Sequence, residues 1–397
     1  MKIIHTSDWH LGKDFENDID RTEEYLHFFG RLGEIIRREN PDALLVSGDI
    51  FNQGIPPASA RKLYTDGILS LKKACPKMDV IIIAGNHDSP SQIEAEDRLW
   101  EIAGVHVIGR IGRESDIAEH SRRHIIPIGD KSSPKGYVIA VPFCYQRNYP
   151  LLDGCTDQSD REKVFLEALV KEAGKVNSSG LPVVMMMHTT IKGSDYSEKG
   201  SIGGIETLDA DSFSAGVDYF ALGHIHNPQT IGKARYCGSP IPIDFAEEYS
   251  HGVSIVDIPS RGSAPSIKIG TIQPLVQVLT VPPKASDVDD AIKAVKDLPD
   301  VKAFVRVLVK CDGFIPSPQQ KKIREAVPYE GLKICQIVPV KENVEKKAFK
   351  AMSASQLEKA DPIDIARSHY ESKFGKELPE DLKSMLTGII SEAKSGN

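Results

Sequence analysis

Val80-Ile81-Ile82-Ile83-Ala84-Gly85-Asn86-His87-Asp88 is an unbroken apolar run that ends abruptly in an amide, an imidazole and a carboxylate. A short β-branched run reads as a buried strand, and the polar residues as the loop at its end. The same grammar recurs along the chain. Ile3-Ile4 precedes Asp8-Trp9-His10, and Ala43-Leu44-Leu45-Val46 precedes Gly48-Asp49. Val183-Val184-Met185 precedes His188, and Tyr219-Phe220-Ala221-Leu222 precedes Gly223-His224-Ile225-His226. Each cluster by itself has a plain explanation: a Gly-Asp is most often a turn, and a lone His after a strand is most often a hydrogen-bonded core or surface residue. Five in succession, each closing an apolar run, describe one site built at the strand ends of a layered α/β protein.

The donor types narrow the chemistry. Carboxylate, imidazole and one amide oxygen suit Mn²⁺, Fe²⁺ or Zn²⁺ better than Ca²⁺, which prefers oxygen cages. With no cysteine in the set, a structural zinc site or an iron–sulfur cluster is disfavoured. The i, i+2 spacing of Asp8/His10 and His224/His226 suits an extended loop, where both side chains can turn to one point.

A chain of 397 residues has room for a large core and one or two small domains. Apolar stretches such as 183–187 fall far short of the roughly 18 residues of a spanning helix, so no membrane partner is expected. Met1-Lys2-Ile3-Ile4 meets polar residues too soon to be a signal sequence. Cysteines 75, 144, 155, 237, 311 and 335 show no CxxC spacing and read as free thiols of a reducing cytoplasm. The net charge of −7 is unusual for a nucleic-acid binder. Two divalent cations beside Asp8 and Asp49 would nevertheless leave the site itself about +2. Arg61-Lys62, Lys72-Lys73, residues 110–113 and Arg122-Arg123-His124 gather positive charge, although each group reads first as a solvated face. Charge thus neither requires nor forbids DNA, and tight binding would call for a second protein chain.

Residues 21–39 carry Tyr25, Phe28, Phe29, Leu32, Ile35 and Ile36 at helical spacing until Asn40-Pro41 stops them. Pro56-Pro57 opens a second helix through Leu63, Ile68 and Leu71. Further strands are expected at 137–141 and 253–256. The alternation fits a two-sheet sandwich flanked by helices. After a Ser/Pro/Gly-rich connector at 259–265, strands at 276–281, 304–309 and 334–338 alternate with helices at 287–298 and 318–327. Residues 341–350 read as a charged linker. Helices are expected at 361–374 and 379–393, the second with an apolar stripe of Leu382, Met385, Leu386, Ile389 and Ile390.

The order Asp-x-His, Gly-Asp, Gly-Asn-His-Asp, His, Gly-His-x-His resembles the calcineurin-like metallophosphoesterase superfamily. Within it, Ile4-His5-Thr6-Ser7-Asp8-Trp9-His10-Leu11-Gly12, Gly48-Asp49-Ile50-Phe51, Ala221-Leu222-Gly223-His224-Ile225-His226 and Tyr236-Cys237-Gly238-Ser239-Pro240 are similar to the SbcD-type nucleases. The likeness is dense to about Asp257 and thin beyond. It implies a four-layer αββα sandwich with a small α/β capping domain and a C-terminal helix pair. The expected division is 1–272 nuclease domain, 273–340 capping domain, 341–352 linker and 353–397 partner-binding helices. It further implies a DNA exonuclease and endonuclease using two divalent ions, most often Mn²⁺. Asp8, His10 and His226 would hold one ion, Asn86, His188 and His224 the other, and Asp49 would bridge. His87 would donate a proton or stabilise the transition state, with Asp88 fixing its tautomer.

The implied partners are DNA, an SbcC-type ATPase and a second copy of the chain within a heterotetramer. Leu63, Ile68, Leu71, Leu99 and Trp100 are the candidate homodimer patch, and the C-terminal stripe is the candidate ATPase contact. Protein phosphatases of the superfamily follow Gly-Asp with an Asp-Arg-Gly triplet that grips a monoester. This chain has Gly48-Asp49-Ile50-Phe51-Asn52-Gln53-Gly54 with no arginine, which disfavours a monoesterase. Archaeal relatives carry a histidine near Asn52 that this chain lacks. Trp9, Phe15, Tyr145 and Tyr149 are candidates for stacking on a frayed DNA end. The alternative enzyme is a cyclic-nucleotide or small-molecule phosphodiesterase of the same fold.

Overall fold

The computed structural model describes residues 1–16, 19–152, 155, 157, 160–195 and 208–341, and further on only 367, 370, 378, 379, 382, 383, 385 and 386. The expected helices at 361–374 and 379–393, and the linker before them, lie outside the described residues apart from those few positions.

Alternation along the apolar runs sets the layers. In one sheet, β1 (Lys2–Thr6), β2 (Ala43–Ser47), β3 (Asp79–Ile83) and β4 (Val105–Ile108) run parallel, and β11 (Gly252–Asp257) and β12 (Ser266–Thr271) extend it antiparallel in the order β12-β11-β1-β2-β3-β4. Successive side chains of a strand point to opposite faces. Ile4, Leu44, Val46, Val80 and Ile82 therefore meet Phe28, Leu32 and Ile36 of α1 (Thr22–Glu39) and Ile68 and Leu71 of α2 (Ala58–Ala74). Their neighbours Ile3, Leu45, Ile81 and Ile83 face the other way, into the space between the sheets.

The second sheet, in the order β5-β6-β7-β8-β10-β9, supplies the opposite wall. Its strands are β5 (Ile125–Asp130), β6 (Ser133–Val141), β7 (Val183–His188), β8 (Tyr219–Gly223), β9 (Gln229–Ile231) and β10 (Ala234–Tyr236). Val138, Ala140, Val184, Met186 and Ala221 fill the gap between the sheets. Val141, Met185, Met187 and Leu222 pack outward on Phe165, Leu166 and Leu169 of α6 (Arg161–Val176). Beside it, α5 (Ile117–His124) sets His120 and His124 edge-on to Phe165. Both faces of the central strands are thus covered, which is why they read as continuous apolar runs rather than as alternation. The result is the expected αββα sandwich.

Two compact units divide the chain: 1–280 with 299–306 and 329–336, and the remainder. A third sheet has the order β13 (Gln277–Ser286), β14 (Ala303–Lys310), β15 (Leu332–Val340), and α7 (Val288–Lys296) and α8 (Ser317–Glu325) complete the β-α-β-α-β pattern.

Local signals behaved as their chemistry requires. Asn40 ends α1 in the left-handed conformation, φ 46°, which asparagine tolerates, and Pro41 follows. Two short helices, α3 (Pro90–Ile93) and α4 (Asp97–Ile102), lead into β4. The apolar patch also needs correction: Leu63, Ile68, Leu71 and Trp100 are buried in the chain's own core, and of the five only Leu99 is exposed. The basic clusters are partly occupied as well, since Arg110 and Arg123 both pair with the buried Glu94. No helix among the described residues is long and apolar enough to cross a membrane.

Gly67 is where α2 meets α1. A Cβ there would lie 2.5 to 2.7 Å from the Phe29 ring. Gly67→Ala gains about 1 kcal/mol of helix propensity, while overpacking a filled core typically costs about 1–3 kcal/mol. The expected net effect is destabilisation, read as a lower urea midpoint with an unchanged m-value.

Candidate metal centre

Because β1, β2, β3, β7 and β8 run parallel within their sheets, their C-terminal ends share one edge, and the loops there converge. His10 Nε2 lies 3.2 Å from His226 Nε2 and 3.6 Å from Asp49 Oδ2. His188 Nε2 lies 3.4 Å from the same Asp49 oxygen and 3.0 Å from Asn86 Oδ1. That amide oxygen is also 3.0 Å from His224 Nδ1, and His226 Nε2 is 4.0 Å from Asp8 Oδ1. Asp8–His10–His226, His10–Asp49–His87 and Asp8–Asp49–His188 each place three ligand atoms within 4.8 Å of one another. All seven residues expected at the metals, together with His87, meet here.

The backbone is bent to achieve this. Among the described residues five non-glycine positions have positive φ; one is the helix cap Asn40, and the others are Asp8 (54°), His10 (48°), Asp49 (52°) and His224 (97°). Asp8 and His10 reach one side through these left-handed turns rather than along an extended loop, as their spacing had suggested. Such conformations cost about 1–3 kcal/mol each and persist only where surroundings over-determine them. Trp9, between the two, is that anchor. It is buried edge-on against Phe28 and Phe29, and its indole N–H donates to Thr6 Oγ1 at 3.0 Å. Tyr25 donates its hydroxyl to the His10 carbonyl at 2.7 Å. Close approach explains the glycines: a Cβ on Gly48 would overlap the His188 imidazole, and one on Gly223 would overlap the Ser47 carbonyl.

Lone pairs face one another at this point, and the donor set therefore fits cations. His188 Nδ1–H donates to the Ser47 carbonyl at 2.9 Å, and Nε2 is aimed at two acceptors, Asn86 Oδ1 and Asp49 Oδ2, between which a proton or a cation must sit. His226 is held the same way: its Nδ1 is 2.6 Å from Glu247 Oε1, and its Nε2 turns toward His10. A carboxylate or carbonyl on the outer imidazole nitrogen is the usual support of a metal-ligating histidine.

Ionisation tells the same story. Burial alone would lower His188, but the charges of Asp49 and Asp8 and the hydrogen bonds to Asp49 and Ser47 lift it to about 9. Burial likewise opposes charge on His226, and the Glu247 hydrogen bond with the Asp8, Glu247 and Asp49 charges outweighs it, again to about 9. Burial would raise Asp49, yet the neighbouring histidines hold it below the usual carboxylate range. Burial and the His188 charge push His224 down to about 3. Two carboxylates here attract positive charge strongly enough to keep protons on two imidazoles.

One expected role changes. Asp88 does not orient His87. Its carboxylate accepts the backbone amides of Ile50 (3.1 Å), Phe51 (2.9 Å) and Gly85 (2.8 Å), tying the second cluster to the third. Burial and the Asp49 charge raise it to about 6. The His87 ring is instead held by the Asn52 carbonyl, 3.0 Å from Nδ1, and its amide donates to Asp49 Oδ1 at 2.9 Å. Of the stacking candidates, Trp9, Phe15 and Tyr149 are buried and only Tyr145 is open to solvent. Glu247 was missed by sequence reasoning. It follows no strand and carries no motif; the one available signal was the general need of a ligand histidine for an acceptor on its outer nitrogen.

Comparison with known proteins agrees with this geometry. Residues 1–228 match the family described as calcineurin-like phosphoesterase. The chain is 34% identical over 278 residues to the SbcD component of the SbcCD nuclease of Rhodobacter capsulatus, covering 67% of this chain and 68% of that one. It is 30% identical over 286 residues to the SbcD component of Escherichia coli K12, covering 68% and 67%. A match of 22% over 408 residues to that of Staphylococcus saprophyticus covers 99% of both.

Cations bound here would displace the protons on His188 and His226. Both residues sit above their ordinary 6.5 in the metal-free protein, so below that value their protons fully stabilise the fold, and this contribution fades as pH rises through about 9. Divalent-metal affinity should therefore climb with pH up to about 9, by about tenfold per pH unit for each proton released. Calorimetry in buffers of different ionisation enthalpy should register proton release at pH 7. Affinity that is flat from pH 6 to 9 would mean that these imidazoles are not the groups displaced.

Proposed function

The chain belongs to the calcineurin-like phosphoesterase family, and on that premise we propose that it is a Mn²⁺-dependent DNA nuclease. In this reading it acts as a double-strand exonuclease and a single-strand or hairpin endonuclease together with an SbcC-type ATPase. The carrying observation is Asp49, one carboxylate oxygen of which stands 3.6 Å from His10 Nε2 and 3.4 Å from His188 Nε2. It is thus available to both halves of the site. Asp8, His10 and His226 would hold one ion and Asn86, His188 and His224 the other, and Mn²⁺ would suit the mixed nitrogen and oxygen donors. Bound there, two divalent ions supply Lewis-acid charge at a phosphate oxygen and lower the pKa of the attacking water.

The remaining steps fall to the chain's own groups. With Nδ1 fixed on the Asn52 carbonyl, His87 in its protonated form can pass the Nε2 proton to the departing alkoxide. Asp88 acts as a positioning residue by holding the loops that carry Asp49 and His87. Beside Asp49, Ile50 and Phe51 are buried and give their amides to Asp88. The arginine with which a monoesterase grips its substrate is absent from Gly48-Asp49-Ile50-Phe51-Asn52-Gln53-Gly54, which favours a diester.

The relatives are named as the SbcD component of the SbcCD nuclease, and the reading extends to this chain an SbcC-type partner, a homodimer within a heterotetramer and a cytoplasmic location. The division into 1–272, 273–340, 341–352 and 353–397, with the last as the ATPase-docking helices, belongs to the same reading. Leu99 and Ile102 on α4, 68% and 86% exposed, support a dimer face.

Linear duplex and hairpin DNA with Mn²⁺, set against a cyclic nucleotide, test the activity. The chain should shorten the duplex, and hydrolysis of the cyclic nucleotide with DNA left intact overturns the nuclease. Asp49→Ala should abolish cleavage and tight Mn²⁺ binding together. His87→Ala should keep Mn²⁺ while the rate drops by roughly 10²–10⁴, the usual contribution of a general acid. Sedimentation at micromolar concentration should find a dimer, and Ile102→Asp a monomer; an unaltered chain that sediments as a monomer counts against the dimer.

A further inference from the structure

Between the end of β6 and the start of the loop after β7 lies a cleft whose lining includes Phe143, Tyr145, Tyr149, Met187, His188 and Thr189. One wall is the metal centre itself, through His188. From that residue an aromatic ladder leads outward: the Phe143 ring meets His188 edge-on at 6.4 Å, and Tyr145 meets Phe143 edge-on at 5.1 Å. Tyr145 is 51% exposed, whereas Tyr149 behind it is buried and donates its hydroxyl to Glu162. The guanidinium of Arg147 covers the Tyr145 ring at 5.7 Å from its centroid. The segment is held in register with the metal loops, because the Phe143 amide donates to the Ala84 carbonyl at 2.9 Å, just ahead of Gly85-Asn86.

We propose that Tyr145 is a stacking platform for the unpaired nucleobase beside the scissile phosphodiester, with Arg147 lying over the ring and reaching the adjoining phosphate. This rests on the nuclease reading and adds to it a subsite on the strand. Three observations lead there. An aromatic ring half open to solvent has one face for a planar ligand, and base–aromatic stacking tolerates every base. A cation on the ring suits an anionic backbone rather than an apolar ligand. The cleft is lined by both Tyr145 and His188, so a base laid on that ring stands beside the metal centre.

The test compares the full chain with its Tyr145→Ala and Tyr145→Trp variants on two single-stranded oligonucleotides, one intact and one abasic beside a single cleavable diester. Stacking is worth about 1–3 kcal/mol per base, so Tyr145→Ala should raise KM for the intact strand by about 5- to 150-fold. For the abasic strand KM should change by less than about twofold, and Tyr145→Trp should restore the intact-strand value. Equal losses on both strands, or none on the intact strand, would overturn the platform while leaving the nuclease in place. Hydrolysis of bis-p-nitrophenyl phosphate with neither oligonucleotide cut would instead remove the nuclease reading, and the platform with it.

Discussion

At the end of β2 the Ser47 carbonyl receives the Nδ1–H of His188 across the gap between the two sheets, and the Ser47 hydroxyl donates to the Ala221 carbonyl on the same opposing sheet at 3.0 Å. These two bonds pin the strand ends together where the loops emerge. Asp49 follows two residues after Ser47 on one sheet; His188 and His224 leave the other. If the contact opened by the width of a methyl group, Asp49 and His188 would no longer share a point. Gly48 and Gly223 occupy the approach for that reason, since a side chain at either would stand where His188 or Ser47 must be.

The pinned edge concentrates buried carboxylates, closely packed imidazoles and left-handed backbone at four non-glycine residues. Apart from the protons held on His188 and His226, none of it favours folding. The compensation comes from three apolar layers, in which each buried Ile, Leu or Phe contributes about 1.5–3 kcal/mol. A site of this kind is stable only on a rigid scaffold, and charge brought in by cations relieves the repulsion that protons on His188 and His226 otherwise relieve. Stability and function meet at the same atoms.

Charge on the surface follows a parallel logic. The chain carries −7 overall, and two of its basic side chains, Arg110 and Arg123, are committed to Glu94. In the proposed reading a polyanionic strand would meet positive charge at the metal centre and at Arg147.

Strand ends and the polar residues gathered there could be read from sequence because they obey local rules. An apolar run interrupted by Asp, Asn or His marks where a buried strand leaves the core, and parallel strands bring such ends to one edge. The helices around Tyr25 and Leu63 were equally plain from their spacing and their stops. Partners across the layers were not. Glu247 supports His226 from 21 residues away, and Asp88 serves the amides of Ile50, Phe51 and Gly85 rather than its neighbour His87. Of four aromatic candidates only Tyr145 reached the surface, and of five apolar candidates for an interface only Leu99 did. Periodicity tells which face of an element a side chain occupies. What stands opposite that face depends on how the sheets and helices stack, and only the tertiary structure decides it.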